Sequence, residues 1–358
     1  MPNTEYNEIV EATEPDNPPS VRCTLVPRSE FGSAIAGLIF SIPLGLVATV
    51  LAVYGFELYG IILFCLSPFS VGLGATLIYG YHQQRSLGYS LGVSQLAVLL
   101  LAFCIFLFAM EGLICLIMAL PLAMCLSAFG GLIGWAMSTR FFSSRVRTNT
   151  LIVLVVGLPL LMGFEDATYD EPHRIEVSTQ VFVDASPEVV WEHLIDAAAL
   201  PMPEDTLFRR GVAYPTDIRL HGEGSEATLT GDFTTGPFEV AIDEWDAPHR
   251  LAMSVTQHPP TMQEWSIYGD IDAPHIKGYF ACESGLIELH ETVDGTTLLV
   301  GTTQCRQDLG PSPYWSLWSE RIIDRLHHHV LEDIGQRAES STHVDPSAAG
   351  ASAVDTDA

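Results

Sequence analysis

The amino-acid sequence predicts a multi-span α-helical membrane region followed by an α+β domain, and three features carry that expectation. From Phe31 to Met137 the chain is apolar, broken only by short polar punctuation. The stretch Asn149 to Glu171, NTLIVLVVGLPLLMGFEDATYDE, then changes solvent: no charge occurs as far as Phe164, and Glu165, Asp166, Asp170 and Glu171 close the run abruptly. Beyond Pro172 the pattern shifts to alternating strands and an amphipathic helix, as in a water-soluble fold. The expected divisions are a disordered acidic tail over residues 1–30, a transmembrane region over 31–164, a folded domain over 172–336 and a disordered tail over 337–358.

Composition agrees with two unlike halves. Of 358 residues, 48% are hydrophobic and 16% charged, with the apolar excess concentrated before Phe164. The 43 acids against 16 bases give a net charge of −27, which repels nucleic acid and anionic lipid headgroups alike. No CxxC occurs, and Cys65, Cys104, Cys115 and Cys125 fall within hydrophobic runs, where a cysteine ordinarily acts as a small apolar residue.

Taken in order, the tail to about Ser29 carries Pro15, Pro18 and Pro19 and too few large apolar residues for a core. It lacks the basic start and cleavage site of a signal peptide, so the first apolar run is expected to be a retained helix. Spans are expected at Phe31 to Val53, Leu58 to Tyr79, Tyr89 to Phe108, Gly112 to Met137, and from Thr148, about five helices in all. In lipid the backbone has to satisfy its own hydrogen bonds, which leaves the α-helix. The last run is short against the roughly 20 residues that a hydrocarbon core of about 30 Å requires.

Recurrent Gly72, Gly74, Gly130, Gly131 and Gly134 read as close helix packing. No charged residue falls at mid-span, since Glu57, Glu111 and His82 sit at span ends, so the bundle reads as an anchor or packing platform. Arg22, Arg28, Arg85, Arg140, Arg145 and Arg147 all fall on one side of it. With five spans, the positive-inside rule puts the N-terminus in the cytoplasm and the C-terminal domain outside it.

After Pro172, Arg174 to Asp184 alternates as a half-buried strand does. Ser186-Pro187-Glu188 then begins a short helix. Strands follow at Asp217 to His221, Glu226 to Phe233, Phe238 to Trp245, Arg250 to Gln257, Lys277 to Glu291 and Thr296 to Arg306, the last pair joined by the Asp294-Gly295 turn. A final helix is expected over Ser312 to Gly335, with Trp315, Trp318, Ile322, Leu326 and Val330 along one stripe.

Antiparallel alternation gathers four connections at one end of the sheet: Pro201 to Thr206, Thr234 to Pro237, His258 to Ile276, and Gln307 to Pro313. The third is far longer than usual and carries Trp265, Tyr268, Asp270, Asp272 and His275, with Tyr279 and Trp315 beside it. An enzymatic reading pairs Asp270 or Asp272 with His275 as general acid and base. The plainer reading makes the aspartates turn residues and the aromatics lid packing. No nucleophile spacing and no cofactor motif stands out, and three consecutive histidines, His327 to His329, cannot grip one metal because neighbouring helical residues point about 100° apart. In an oxidising compartment, Cys282 and Cys305 are candidates for a disulfide. Counting from the turn places Cys305 opposite Ser284, with Cys282 as a diagonal neighbour.

The order strand, helix, six strands and long helix, with VFVDASPEVVWEHL at its start and YWSLWSERIIDRL at its end, resembles the SRPBCC or START-like superfamily of polyketide cyclases, dehydrases and lipid-transfer domains. APHIKGYF, LVGTTQC and PSPYWSLWSERIIDRLHHHVLEDI look like a membrane-linked bacterial branch of it, which implies a bacterial inner-membrane location. The resemblance implies a helix-grip fold, a curved antiparallel sheet wrapping the C-terminal helix around an apolar cavity. It further implies a hydrophobic small molecule or lipid as partner, with Trp265, Tyr268, Tyr279, Trp315 and Trp318 near the ligand. Cyclase, dehydrase or hydrolase chemistry on the same fold, or a role in interaction alone, stays open.

Overall fold

The computed structural model describes residues 26–138, 143–168, 171–196, 198–271, 273–276 and 278–342. Most of both expected tails, together with Arg22, Arg140 and Asp272, lies outside the described residues.

Among the described residues, five helices are long and apolar enough to cross a membrane. They are α1 (Glu30–Val50), extended by a π-helical turn to Gly55; α2 (Ser67–Tyr79), preceded by a π-helical turn from Ile62; α3 (Leu87–Leu107); α4 (Leu113–Met137); and α5 (Ser144–Ala167). The fifth corrects the short run expected from sequence. Ser143 caps it by accepting from the Val146 N–H at 3.4 Å, and the helix takes in Arg145 and Arg147 at one end and Glu165 and Asp166 at the other. Its 24 residues reach about 36 Å, enough for a hydrocarbon core.

Helix α2 is the centre of the bundle, buried from Ser70 to Tyr79. Small residues let α4 lie against it: a side chain at Gly72 would run into the Ser127 carbonyl, and one at Gly130 into that of Phe69. Ser94 of α3 also donates to the Ser127 carbonyl at 2.6 Å. Large apolar side chains such as Ile39, Phe103, Phe129, Leu160 and Phe164 face outward.

The two ends of the bundle differ. At one, Arg85 donates to Glu30 at 3.0 Å and to the Arg28 carbonyl, while Arg147 donates to the Tyr81 carbonyl at 3.0 Å. At the other, Glu165 accepts from the Ile61 and Ile62 N–H groups at 2.6 and 3.1 Å, and the C-terminal domain is docked.

That domain is an eight-stranded antiparallel sheet, in the order β1-β10-β9-β6-β5-β4-β3-β2, with a long C-terminal helix across it, as the helix-grip expectation requires. The strands are β1 (His173–Val183), β2 (Ala198–Ala199), β3 (Pro215–His221), β4 (Thr228–Phe233), β5 (Gly236–Asp246), β6 (Arg250–Gln257), β9 (Phe280–Glu291) and β10 (Thr297–Gln307). Helix α6 (Pro187–Ile195) follows β1, and α7 (Ser312–Thr342) ends the described chain. Between β6 and β9 the long connection is not plain loop, for it folds into a hairpin of β7 (Glu264–Ser266) and β8 (Gly269–Ile271). Val183, Val190, Leu289, Leu299 and Leu331 form the main core, away from the docked end.

Two details depart from the expectation. Helix α7 continues past Gly335 to Thr342, because Ala338 is buried in the core and Glu339 accepts from the Asp184 N–H at 2.9 Å. These are contacts with residues far back in the chain. Cys282 and Cys305 are joined in a disulfide and stand directly opposite one another. The turn pairs Thr297 with Glu291, one residue out from the count, which sets Ser284 opposite Gln304. A bulge between Gln304 and Cys305 then takes up a further residue and brings Cys282 from its diagonal position to face Cys305.

On the sheet-facing side of α7, His327 is held between Thr179 of β1 and Thr303 of β10, whose hydroxyls lie 3.1 and 2.7 Å from its ring nitrogens. Burial lowers its pKa to about 4, with His328 adding to the effect and Asp324 opposing it. The folded state thus disfavours the charged ring. Stability is complete above the unfolded value of about 6.5 and falls by about 3 kcal/mol as pH drops through the folded value. His327→Gln should flatten that decline, as read from urea midpoints between pH 7 and pH 4. An unchanged slope would place the acid sensitivity elsewhere.

Candidate functional site

Two apolar cavities meet where the domain docks on the bundle. One, of about 290 Å³, lies between the sheet and α7, with Phe238, Val240 and Val255 on one wall and Ile322, Ile323 and Leu326 on the other. The second, of about 120 Å³, lies among the helices, walled by Val98, Leu101, Ile105, Leu116 and Leu120. Cys115, His275, Leu309 and Trp315 line both, so these four side chains form the partition.

Glu264 fixes this junction. Its carboxylate, fully enclosed, accepts from the Ile114 and Cys115 N–H groups at 3.1 and 2.9 Å and so caps the start of α4 from another domain. Helix α4 has no cap of its own, since Gly112 stands there. The Tyr279 hydroxyl donates to the Glu57 carbonyl at 2.5 Å, the Gly310 N–H donates to the Tyr59 carbonyl at 2.8 Å, and Tyr314 donates to the Met118 carbonyl. Of the four connections expected at this end of the sheet, the second and third are joined by Thr235 donating to the Pro260 carbonyl, while Asp205 of the first pairs with Arg325 of α7. The third and fourth connections face the helices, through Glu264, His275 and Gly310.

Within the partition, polar groups form a chain. The Tyr59 hydroxyl donates to Glu111 Oε1 at 2.5 Å, Glu111 Oε2 lies 2.8 Å from His275 Nδ1, and His275 Nε2 lies 2.8 Å from Cys115 Sγ. Burial and the neighbouring Glu111 carboxylate push the Tyr59 phenol up, and burial with Glu57 does the same for Tyr279. Glu111, Cys115 and His275 each place a metal-binding atom within 4.8 Å of the others. The carboxylate and the thiol, however, meet opposite edges of the imidazole, so the ring bridges them and does not offer one nitrogen to a shared ion.

Of the residues singled out in the sequence, His275 and Trp315 are buried in this partition. Asp270 is not beside His275; it accepts from Gln263 at 2.8 Å on the exposed hairpin, and the carboxylate that faces His275 is Glu111. Trp265 and Tyr268, 50% and 71% exposed, line neither cavity. Strand alternation in β7 turns Glu264 and Ser266 inward and Trp265 out towards Phe106 of α3, 5.9 Å between ring centres. Trp318 sits one step round α7 from the lining stripe of Trp315, Ser319, Ile322, Ile323 and Leu326. Tyr279 packs edge-on against Tyr59 behind the partition, 4.8 Å away. Tyr59, Glu111, Cys115 and Glu264 were not read as site residues. The one local signal was the spacing of Glu111 and Cys115, four apart at a helix start.

No family model and no curated protein sequence matches the chain. A norcoclaurine synthase mutant from Thalictrum flavum overlays 48% of this chain and 99% of its own, at 12% identity and a TM-score of 0.32. An aromatase/cyclase from a Streptomyces species overlays 48% of this chain and 98% of its own, at 17% identity and a TM-score of 0.31. Overlays this weak say nothing of chemistry, which has to be argued from the residues.

Proposed function

We propose that this chain is an integral membrane protein that binds a lipid or other hydrophobic small molecule in the helix-grip cavity, with the helix bundle as the route from the bilayer. One observation carries the reading: the domain's cavity and the cavity among the helices share a single partition of four side chains. The end of the cavity nearest the bundle abuts apolar helices, which puts it within reach of a ligand dissolved in the bilayer. Pockets that hold apolar ligands are mostly hydrophobic with a few placed polar groups, as this one is.

The membrane placement rests on the five long apolar helices and their outward-facing Phe, Ile and Leu side chains. Arg28, Arg85 and Arg147 cluster at the end of the bundle opposite the domain, which favours a cytoplasmic N-terminus and an extracytoplasmic C-terminal domain, in keeping with the Cys282–Cys305 disulfide. The exposed Trp265, Ile267 and Tyr268 on the β7–β8 hairpin suit the headgroup layer, where amphipathic rings accumulate.

The test is lipid analysis of the full-length chain purified in mild detergent, with calorimetric titration of the best co-purifying species. Stoichiometric retention of one lipid class and a negative heat-capacity change are expected. Purified chain that retains nothing and gives no heat with fatty acid, isoprenoid or phospholipid would overturn the reading.

A further inference from the structure

We propose that Cys115 is a nucleophile that takes the acyl group from a hydrophobic ester or thioester, with His275 as its general base and Glu111 as the residue that positions the base. The inference rests on the ligand reading above and names what that ligand carries: a long acyl chain joined through an activated carbonyl.

The geometry is that of a nucleophile, a base and an orienting group in series. His275 Nε2 is 2.8 Å from Cys115 Sγ, and Nδ1 is 2.8 Å from Glu111 Oε2. The Glu111 carboxylate stands closer to Nδ1 than Glu264 does to Nε2, 2.8 against 3.9 Å. Although Glu111 Oε2 and Nδ1 are not aligned as a hydrogen bond, the field of that carboxylate favours the ring proton on Nδ1 and leaves Nε2 to accept the thiol proton. Glu111 is held in turn by the Tyr59 hydroxyl, and Tyr59 stacks edge-on against the imidazole at 5.6 Å. His275 and Glu111 are each 8% exposed, so water does not compete for these contacts. The Ile114 and Cys115 N–H groups at the start of α4 are taken by Glu264, so they are not available to activate the thiol and the imidazole has to do so.

Placement gives the substrate class. Cys115 and His275 line both apolar cavities, so an acyl chain in either one brings its carbonyl end to the partition. As Sγ attacks that carbonyl carbon, its proton passes to Nε2. The bond from carbonyl carbon to the alcohol oxygen or thiol sulfur breaks, the leaving atom takes the proton from Nε2, and the acyl group stays on Cys115 as a thioester. Water, losing a proton to the same nitrogen, then releases the fatty acid and restores the thiol. No electrons are gained or lost.

The experiment incubates full-length protein in detergent with palmitoyl-coenzyme A in one arm and with dipalmitoyl phosphatidylglycerol vesicles in another, followed by intact and peptide mass spectrometry. A palmitoyl adduct confined to the peptide bearing Cys115, removed by neutral hydroxylamine, is expected in at least one arm, and the arm that yields it distinguishes a soluble donor from a bilayer lipid. Cys115→Ala should abolish the adduct, and His275→Gln should slow its formation by about 10²- to 10⁴-fold. Glu111→Gln should lower the acylation rate at saturating donor while the half-saturating donor concentration stays the same, a split that a purely structural role would not produce. Lipid bound by the wild type without any adduct would overturn this inference and leave the binding reading standing, whereas absence of both adduct and bound lipid would remove both. Equal labelling of Cys65, Cys104 or Cys125, or one zinc per chain that is lost in Cys115→Ala and His275→Gln, would also overturn it.

Discussion

Glu264→Ala is expected to lower the stability of the docked chain by about 3–5 kcal/mol, the range for removing one partner from a buried charged contact. The side chain is fully enclosed, and its two oxygens accept from consecutive N–H groups of α4. Truncation leaves both donors orphaned at the positive end of a helix dipole and opens a void where the carboxylate stood. Glu264→Gln keeps the volume but turns an N–H towards an N–H, so it should fall between wild type and alanine. Gly112→Ala should act in the same direction from the other side, since a Cβ there would meet the Glu264 carboxylate. Thermal unfolding in detergent and protease nicking within residues 258–276 would report the loss. Unchanged melting and unchanged resistance in the alanine variant would show that the hairpin is held by other contacts.

The same contact explains why the site was hard to read from the sequence. Local patterns reveal what local forces decide. The apolar runs, the alternation of β1 and the stripe on α7 each reflect a face that must leave water, and each was legible. In sequence Cys115 is a small apolar residue within a span and Glu111 a charge at a span end, and nothing local says more. Their chemistry comes from His275, which stands 160 residues beyond Cys115 and is carried to it by a lid that Glu264 pins to α4. No periodicity encodes such a meeting. Trp265 and Tyr268 fall clear of both cavities for a different reason: the long connection folds into a hairpin, and its alternation turns Trp265 outward. The extra turns of α7 likewise depend on partners remote in the chain, whereas the alignment of Cys282 with Cys305 rests on a turn register and a bulge that counting residues does not show.

Trp315→Ala carries the largest expected effect on binding. The indole is 4% exposed, lies edge-on to Phe64 at 4.9 Å, and donates to the Gly310 carbonyl at 3.2 Å, so it is fixed by one contact to the bundle and one within its own domain. Its loss should lower stability by about 3–5 kcal/mol through the cavity it leaves. That cavity would fuse the spaces on either side, since Trp315 is one of the four residues between them. An aromatic that closes the wall of a site commonly contributes about 2 kcal/mol to binding, so affinity for a bound lipid should fall about 30-fold, with a smaller heat-capacity change. Trp315→Phe separates the two roles. It keeps an aromatic ring near Phe64 and gives up the bond to Gly310, so most of the affinity should return while part of the stability does not. If Trp315→Ala melts early yet binds lipid as tightly as wild type, the indole is a strut between the halves of the chain, and the ligand lies clear of the partition.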